Sequence, residues 1–506
     1  MTSAELASVL GDSLRDTRLI VVANREPYIH VRRTQAAKGL WNWFRGRTET
    51  SAIDWTRPAS GLVTALDPVM RACGGTWIAH GSGNADRETA DARGRVKVPP
   101  DKPSYTLRRV WLSPEEEQGY YYGLANNALW PLCHIAYARP VFDESDWQQY
   151  ARVNRRFADA VIEEVANTRA VVFVQDYHFA LLPRMVKEAR PDVTVCHFWH
   201  IPWPNREAFR VCPWGEEILH GLLGNDLLGF HVQYHCNNFL DTVDRALESR
   251  VDYEHFAAWR GGRPTFVKPF PISIDPTLWK GPVKTGDQVA EIREVRQRLG
   301  LKDQRMIFGV DRLDYTKGIP DRLKAFGRLL ERHPEWRERV TMVQVGAPSR
   351  EHLTRYQALM AEVESCVDAV NQKFKTDGWT PVLYRPEHHQ PEDIAHMYRA
   401  ADVCVVSSLH DGMNLVAKEF IAARGDEQGV LVLSEFTGAA RELDAAVHVN
   451  PFAVDAFADS LHTALLMPPV DQKRRMRGLR ARVAAHTVYD WAGALLQTAC
   501  RMEAVR

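Results

Sequence analysis

Two short clusters carry the residue types that ionic chemistry on a phosphorylated ligand requires. The first, DRLDYTKG at 311–318, follows the apolar run IFGV at 307–310. Arg312 and Lys317, five positions apart at a strand end and just before Gly318, suit a bound diphosphate. Arginine offers a planar fork of donors and lysine a compact charge. A structural network pairing both with Asp311 and Asp314 is the competing reading. The second cluster, SSLHDGMNLVAKEFIAAR at 407–424, follows the run VCVV at 403–406 and carries Asp411, Asn414, Lys418 and Glu419. If Asp411 and Glu419 share a helix, their spacing is about two turns, and they reach opposite ends of one elongated ligand. An N-cap followed by surface charges is the alternative.

The same pattern recurs. The run at 19–23 leads to Asn24 and Arg25, that at 171–174 to Asp176, Tyr177 and His178, and that at 193–198 to His200 and Pro202. The run at 340–345 leads to Ser349 and Arg350. Open α/β sheets bind ligands at the carboxyl ends of their strands, so repeated polar clusters at these places imply a polar cleft.

Neither G-x-x-x-x-G-K-[ST] nor G-x-G-x-x-G occurs, which counts against a kinase of that class and a dehydrogenase. No D-x-D pair is present, and His231 and His235 stand at i, i+4 without an H-E-x-x-H glutamate. We therefore expect neither metal nor cofactor. Positive side chains and a helix terminus must then neutralise a phosphate leaving group, which again selects Arg312 and Lys317.

Positioning such residues takes a particular scaffold. Short β-rich runs alternate with longer amphipathic stretches, the signature of parallel α/β sheets covered by helices. The runs form two groups separated by the Pro- and Gly-rich segment VKPFPISIDPTLWKGPVKTGD at 267–287. The expected fold is α/β, with two doubly wound domains facing across a cleft. Residues 1–275 form the first domain, 276–485 the second, and 486–506 a C-terminal packing helix. Residues 31–58 read as a long basic loop, an anion-gripping lid or a solvated connection, with Arg32, Arg33, Lys38, Arg45, Arg47 and Arg57.

A chain of 506 residues has core for at least two domains. Its 64 basic and 64 acidic residues cancel, so nothing global points to nucleic acid or an anionic membrane. The 15 tryptophans suit either core or sugar-gripping surfaces. Eight cysteines without C-x-x-C spacing argue against a zinc module or disulfide framework and suit a reducing cytosol. With no signal-peptide pattern and no apolar run of about 20 residues, the expectation is a cytoplasmic protein acting on small molecules.

The ordered segments VVANR, SGLVTAL, YYYGLANNALWPLCH, VFVQDYHFALLP, FWHIPWP, GVDRLDYTKG, GAPSR and DGMNLVAKE resemble the trehalose-6-phosphate synthases, from about residue 19 to about residue 495. That family consists of retaining glycosyltransferases of the GT-B fold, which move glucose from a nucleotide diphosphate, usually UDP, to glucose 6-phosphate without metal. The resemblance implies that Arg312 and Lys317 hold the diphosphate, Glu419 binds ribose, and Asn414, Leu415 and Val416 offer backbone to phosphates and sugar. It further implies that Asp411 and His200 contact the transferred glucose and that Gly61 lets the first loop approach it. Arg25 and Arg350 would grip the acceptor phosphate, with Tyr121, Trp130 and Asp176 lining that pocket. A homo-oligomer, dimer or tetramer, is implied as well. Departures fall at Ser60, where the family usually has glycine, at His80 in place of a pocket tryptophan, and at His410 in place of arginine. Asn24–Tyr28 also resembles the glucosylglycerol-phosphate synthases, which makes another phosphorylated acceptor the alternative. A catalytically silent sugar-phosphate sensor is a further one.

Overall fold

The computed structural model describes residues 1–14, 17–34, 51–58, 61–281 and 285–504. Its two large sheets form from the runs rich in Val, Ile, Leu and Phe. In the first half, Ala170–Gln175 and Thr194–Phe198 are buried at every position, as strands covered on both faces must be. The ten-stranded first sheet runs in the order Arg250–Asp252, Ala257–Arg260, Arg263–Pro269, Leu227–Phe230, Thr194–Phe198, Ala170–Gln175, Arg18–Val22, Thr76–His80, Tyr105–Val110, Arg95–Val98. Its interior pairs are parallel, and antiparallel strands close both edges.

The second sheet has six strands, all parallel: Val382–Arg385, Val340–Ala347, Arg305–Arg312, Val403–Val406, Val430–Ser434, Val447–Val449. The chain starts at the central strand Arg305–Arg312, builds outward on one side, then returns to Val403–Val406 on the other. That reversal leaves a crevice between these two strands, whose carboxyl ends lead to Arg312, Lys317 and Asp411. The first sheet reverses in the same way around Arg18–Val22, flanked by Thr76–His80 and Ala170–Gln175, so Arg25 and Asp176 flank its crevice. Both crevices are topological switch points, where such sheets bind ligands.

Three details differ from the sequence expectation. Residues 267–269 close the strand Arg263–Pro269, so the sheet reaches into the presumed linker, and the helix Thr285–Arg298 begins inside it. Residues 31–34 and 51–56 are not loop: Ile29–Thr34 pairs antiparallel with Ser51–Thr56. Arg32 pairs with Glu88, and Arg57 meets Asp67 at 2.9 Å, so these two cations are already matched. Lys38, Arg45 and Arg47, three more of the six cations behind the lid reading, lie outside the described residues.

Trp77, Trp199 and Trp203 are among the largest fully buried side chains, so for these three the tryptophan excess is core. Each burial contributes on the order of 2–3 kcal/mol. The final helix, Val488–Ala504, packs on Ser3–Ser13, Gly61–Cys73 and Thr194–Phe198. Its Trp491 ring centroid lies 5.1 Å from that of Phe198, directly beneath the strand that leads to His200. Among the described residues, no helix is long and apolar enough to cross a membrane.

Candidate active site

After the strand Arg305–Arg312 the chain makes a 3₁₀ turn, Tyr315–Lys317, and enters the helix Ile319–Arg332 through Gly318. Gly318 has φ 60°, and a Cβ there would sit 2.4 Å from the Ser407 carbonyl, so both conformation and space require glycine. Beneath this turn Arg322 is fully buried. It binds Asp311 at 2.7 Å, Gln344 at 2.9 Å and Ser407 at 2.9 Å, tying three strand ends together. Asp314 takes Thr316 at 3.0 Å and Tyr356 at 3.0 Å.

Asp311 and Asp314 are therefore engaged elsewhere, and the network that competed in the sequence does not form. Lys317 instead reaches across the crevice to Asp411, Nζ to Oδ2 2.5 Å. Burial favours neutral forms for this pair, but each charge holds the other: Asp411 is well below the usual carboxylate range and Lys317 is raised. Arg312 is exposed and has no hydrogen bond or ion pair among the described residues.

Asp411 is not on the helix. The helix runs Leu415–Ala423, and Asn414 caps it with φ 88°, accepting from the Ala417 amide at 3.1 Å. The Asn414 amide nitrogen donates to Asp411 at 3.2 Å. The early amides of that helix, those of Leu415 and Val416 included, have no intrahelical acceptor and favour an anion. Glu419 lies one turn further on, accepting from the Tyr398 hydroxyl at 3.0 Å. Burial, partly offset by that bond, pushes its carboxyl up to about 7. Lys418 is turned away, donating to the Ile272 carbonyl at 2.8 Å and pairing with Glu442 at 2.7 Å.

The facing wall is built differently. Tyr121 sits on a π-helical stretch, Gln118–Leu129, continuous with Pro114–Glu117 before it and Trp130–His134 after it. The sequence gives no periodic signal for this wide helix, although Gly119 and Gly123 mark its close approach to Glu144–Val165. A Cβ at Gly123 would meet the Asp146 carboxylate at 2.2 Å. Such π segments are rare and frequent at functional sites. The Tyr121 ring stacks on His178, centroids 5.5 Å apart. Burial raises its phenol, but the charges of Arg350, Arg25 and Arg312 outweigh that and hold it below its ordinary value. Tyr121 thus lies within the field of three guanidinium groups, those of Arg350, Arg25 and Arg312.

Arg350 comes from the second half. Its guanidinium lies 4.5 Å over the Trp130 ring, and Nη1 lies 3.3 Å from Asp314. Tyr356, which sequence reasoning omitted, also contacts it; the only available signal is a tyrosine in the first turn after the arginine. Asp176 has the positive φ of 70° and accepts from the Tyr177 amide at 3.0 Å and the His200 amide at 3.2 Å. Burial pushes its carboxyl up to about 7 against those bonds and the pull of Arg350 and Arg312. His200 donates Nε2–H to Gln175 at 2.9 Å, and burial keeps it neutral. Gln175, also omitted from the sequence reading, ends an otherwise apolar strand.

The two walls meet where Gly412 passes His200. A Cβ on Gly412 would lie 2.7 Å from the His200 carbonyl and 2.8 Å from the His231 ring. His80 donates to the Val110 carbonyl at 3.3 Å, apart from this contact. Gly61 opens the helix Gly61–Cys73, and Ser60 before it lies outside the described residues. The geometry therefore gathers Arg25, Tyr121, Trp130, Asp176, His200, Arg312, Lys317, Arg350, Asp411 and Asn414. Glu419 lies further along the same crevice.

Comparison with known proteins agrees with this geometry. A model of glycosyltransferase family 20 matches residues 17–501. Trehalose-6-phosphate synthase of Mycolicibacterium vanbaalenii is 40% identical over 498 residues, covering 96% of this chain and 96% of that protein. The Mycobacterium tuberculosis H37Rv enzyme of the same name is 38% identical over 493 residues, covering 96% and 95%. Among solved structures, an E. coli protein bound with UDP-2-fluoro glucose superposes with TM-score 0.81 at 28% identity, covering 96% of this chain and 99% of that one. An alpha,alpha-trehalose-phosphate synthase (UDP-forming) from Burkholderia xenovorans in complex with glucose-6-phosphate gives 0.80 at 28%, covering 95% and 100%. Two sheets with parallel interiors and a topological switch point in each, and a family match over nearly the whole length, make this chain a member of glycosyltransferase family 20 with the GT-B fold.

Proposed function

We propose that the chain is a trehalose-6-phosphate synthase, transferring glucose from UDP-glucose to glucose 6-phosphate with retention at the anomeric carbon. The observation that carries this reading is the pair of cationic clusters at the two crevices: Arg350 lies 4.5 Å over the Trp130 ring of the first half, and Lys317 meets Asp411 at the switch point of the second sheet. A sugar phosphate and a nucleotide diphosphate are the two anions these clusters suit. The relatives named above carry the synthase name, and solved neighbours hold a UDP-glucose analogue or glucose 6-phosphate.

In this reading residues 276–485 hold the donor. Arg312 and Lys317 grip the diphosphate, the amides of Leu415 and Val416 add helix-terminus donors, Asn414 fixes the turn, and Glu419 takes the ribose hydroxyls. Lys317 is shared between Asp411 and the arriving phosphate, which frees Asp411 to accept glucose hydroxyls. Residues 1–275 hold the acceptor, with residues 486–506 buttressing that half. Arg25 and Arg350 clamp the phosphate, Tyr121 and Trp130 wall the sugar, and Asp176 orients its reacting hydroxyl. Gly61 borders the transferred glucose, and neutral His200 accepts from one of its hydroxyls.

The bond from the anomeric carbon to the diphosphate oxygen breaks with its electron pair leaving on oxygen. The acceptor hydroxyl oxygen bonds the same carbon from the same face, and its proton passes to the departing oxygen. Arg312, Lys317 and the helix terminus stabilise the charge that develops there. Closing the two walls excludes water that would otherwise take the glucose. A cytoplasmic homo-oligomer, dimer or tetramer, completes the proposal, and sizing in solution tests its assembly.

Incubation with UDP- or ADP-glucose and a panel of phosphorylated acceptors tests the activity. Trehalose 6-phosphate from UDP-glucose and glucose 6-phosphate is the expected product. Product with glycerol 3-phosphate alone, or with no acceptor at all, would overturn the reading.

A further inference from the structure

His410 belongs to the second half, between the strand Val403–Val406 and Asp411, yet its partners lie on the first. Its Nδ1 lies 2.7 Å from the His134 carbonyl oxygen. A carbonyl only accepts, so Nδ1 carries the proton and donates. His134 is the last residue of the continuous helical stretch that carries Tyr121 and Trp130. The last carbonyls of a helix meet no N–H donor within it, and Ile135 turns left-handed at φ 49°, so the chain itself supplies no further turn. The donor arrives instead from the opposite wall.

The surroundings fix this side chain. The His235 and His134 ring centroids lie 5.8 Å and 6.4 Å from that of His410. His134 donates its own Nδ1–H to the Trp130 carbonyl at 2.8 Å, and His235 donates to the Trp203 carbonyl at 3.2 Å. Each imidazole is thus held in one tautomer. Burial pushes both flanking histidines down to about 3, and holds His410 below its ordinary value against the pull of the His134 bond and Asp411. On its other side His410 continues into Asp411, whose amide donates to the Phe436 carbonyl at 3.1 Å and whose carboxylate holds Lys317. A single side chain therefore connects the end of the acceptor wall to the donor turn.

We propose that His410 is a positioning residue: its Nδ1–H, donated to the His134 carbonyl, holds the helix of Tyr121 and Trp130 in register with the Asp411 turn. The assignment rests on the glucosyl-transfer reading for its kinetic consequence. It acts on how the acceptor meets the donor, and leaves the diphosphate grip of Arg312 and Lys317 untouched.

His410→Ala and His410→Asn test it, because the asparagine amide places an N–H close to where Nδ1–H stands. For His410→Ala we expect kcat/KM for glucose 6-phosphate to fall about tenfold, the scale of one lost hydrogen bond, with the Kd for UDP changed by less than about twofold. Amide hydrogen exchange at residues 133–135 should accelerate in the same variant. His410→Asn should recover both readouts, which a merely structural loss would not do. Unchanged kcat/KM and exchange in His410→Ala would overturn the proposal. So would failure of the asparagine to restore them, or a UDP Kd that rises in step with the loss. If the wild-type protein transfers glucose to no phosphorylated acceptor, the functional reading fails, while the exchange comparison still decides the His410 link.

Discussion

The donor wall and the acceptor wall reach the same end by opposite means. In the proposed reading, donor groups come from two short segments, 311–318 and 411–419, at the ends of adjacent parallel strands, and two of them, Lys317 and Asp411, are already paired. The proposed acceptor groups come from a strand end, a π-helix, a second strand end and an arginine that crosses from the other half. A wall made of contiguous turns works wherever its own sheet folds. A wall that borrows Arg350 is complete only when both halves are docked. Donor binding should therefore survive perturbations of the docking that acceptor capture does not.

The most severe way to break the donor wall is Arg312→Ala. Arg312 has no internal partner among the described residues, so its removal should leave Tm nearly unchanged. Turnover should fall by about 10²–10³, the cost of losing one donor to developing charge. Near-normal turnover in a well-folded variant would remove Arg312 from the mechanism. Arg350→Ala should do the complementary thing. KM for glucose 6-phosphate should rise by about 10², while KM for UDP-glucose stays within a few-fold. Arg350→Lys should not rescue it, because a compact ammonium cannot reproduce both the stack on Trp130 and the bond to Asp314. Equal losses for both substrates would mean that the walls are not separable as argued.

How much of this could be read from the chain follows the same division. The DRLDYTKG and DGMNLVAKE segments announce the donor wall because all their ligand groups lie within one strand-to-helix turn each. What they conceal is local: Asp411 precedes the helix rather than riding on it, since Asn414 takes the cap at φ 88°. The alternation of apolar runs gives the parallel interior of both sheets, but not the antiparallel edges of the first or the ribbon from Ile29–Thr34 and Ser51–Thr56, whose short mixed strands carry no strong period. The acceptor wall is harder because its groups meet only in space. Tyr121 lies on a π-helix that neither the 3.6 nor the 2 period describes, and Tyr356 and Gln175 act by orienting other side chains. Those second partners leave no spacing to find.

Gly412→Ala probes the docking itself. A methyl group 2.7 Å from the His200 carbonyl forces the walls apart, since backbone on the far side cannot give way cheaply. The expected result is a loss of about tenfold in kcat/KM for the acceptor, near 1.4 kcal/mol, with UDP affinity little changed in an equilibrium titration. Loss of UDP binding would place the strain in the donor turn instead.

The smallest effect is expected on stability, and its sign sharpens the view of the proposed donor wall as a site preformed at some cost to the fold. Burial raises the Glu419 carboxyl from an ordinary value of 4.5 to about 7, so the unfolded chain gives up that proton at lower pH than the folded one. Between these two values the unfolded state binds fewer protons, and stability must fall as pH rises. Above about pH 7 the penalty is complete, at most about 3 kcal/mol and less once the partial exposure of the side chain is counted. Glu419→Gln keeps an acceptor for the Tyr398 hydroxyl but cannot ionise. It should match the wild type in denaturant unfolding near pH 4.5 and exceed it by about 1–3 kcal/mol at pH 8, while binding UDP more weakly for want of a ribose partner. A variant no more stable at pH 8 than at pH 4.5, relative to wild type, would mean that Glu419 is not held at the expense of the fold.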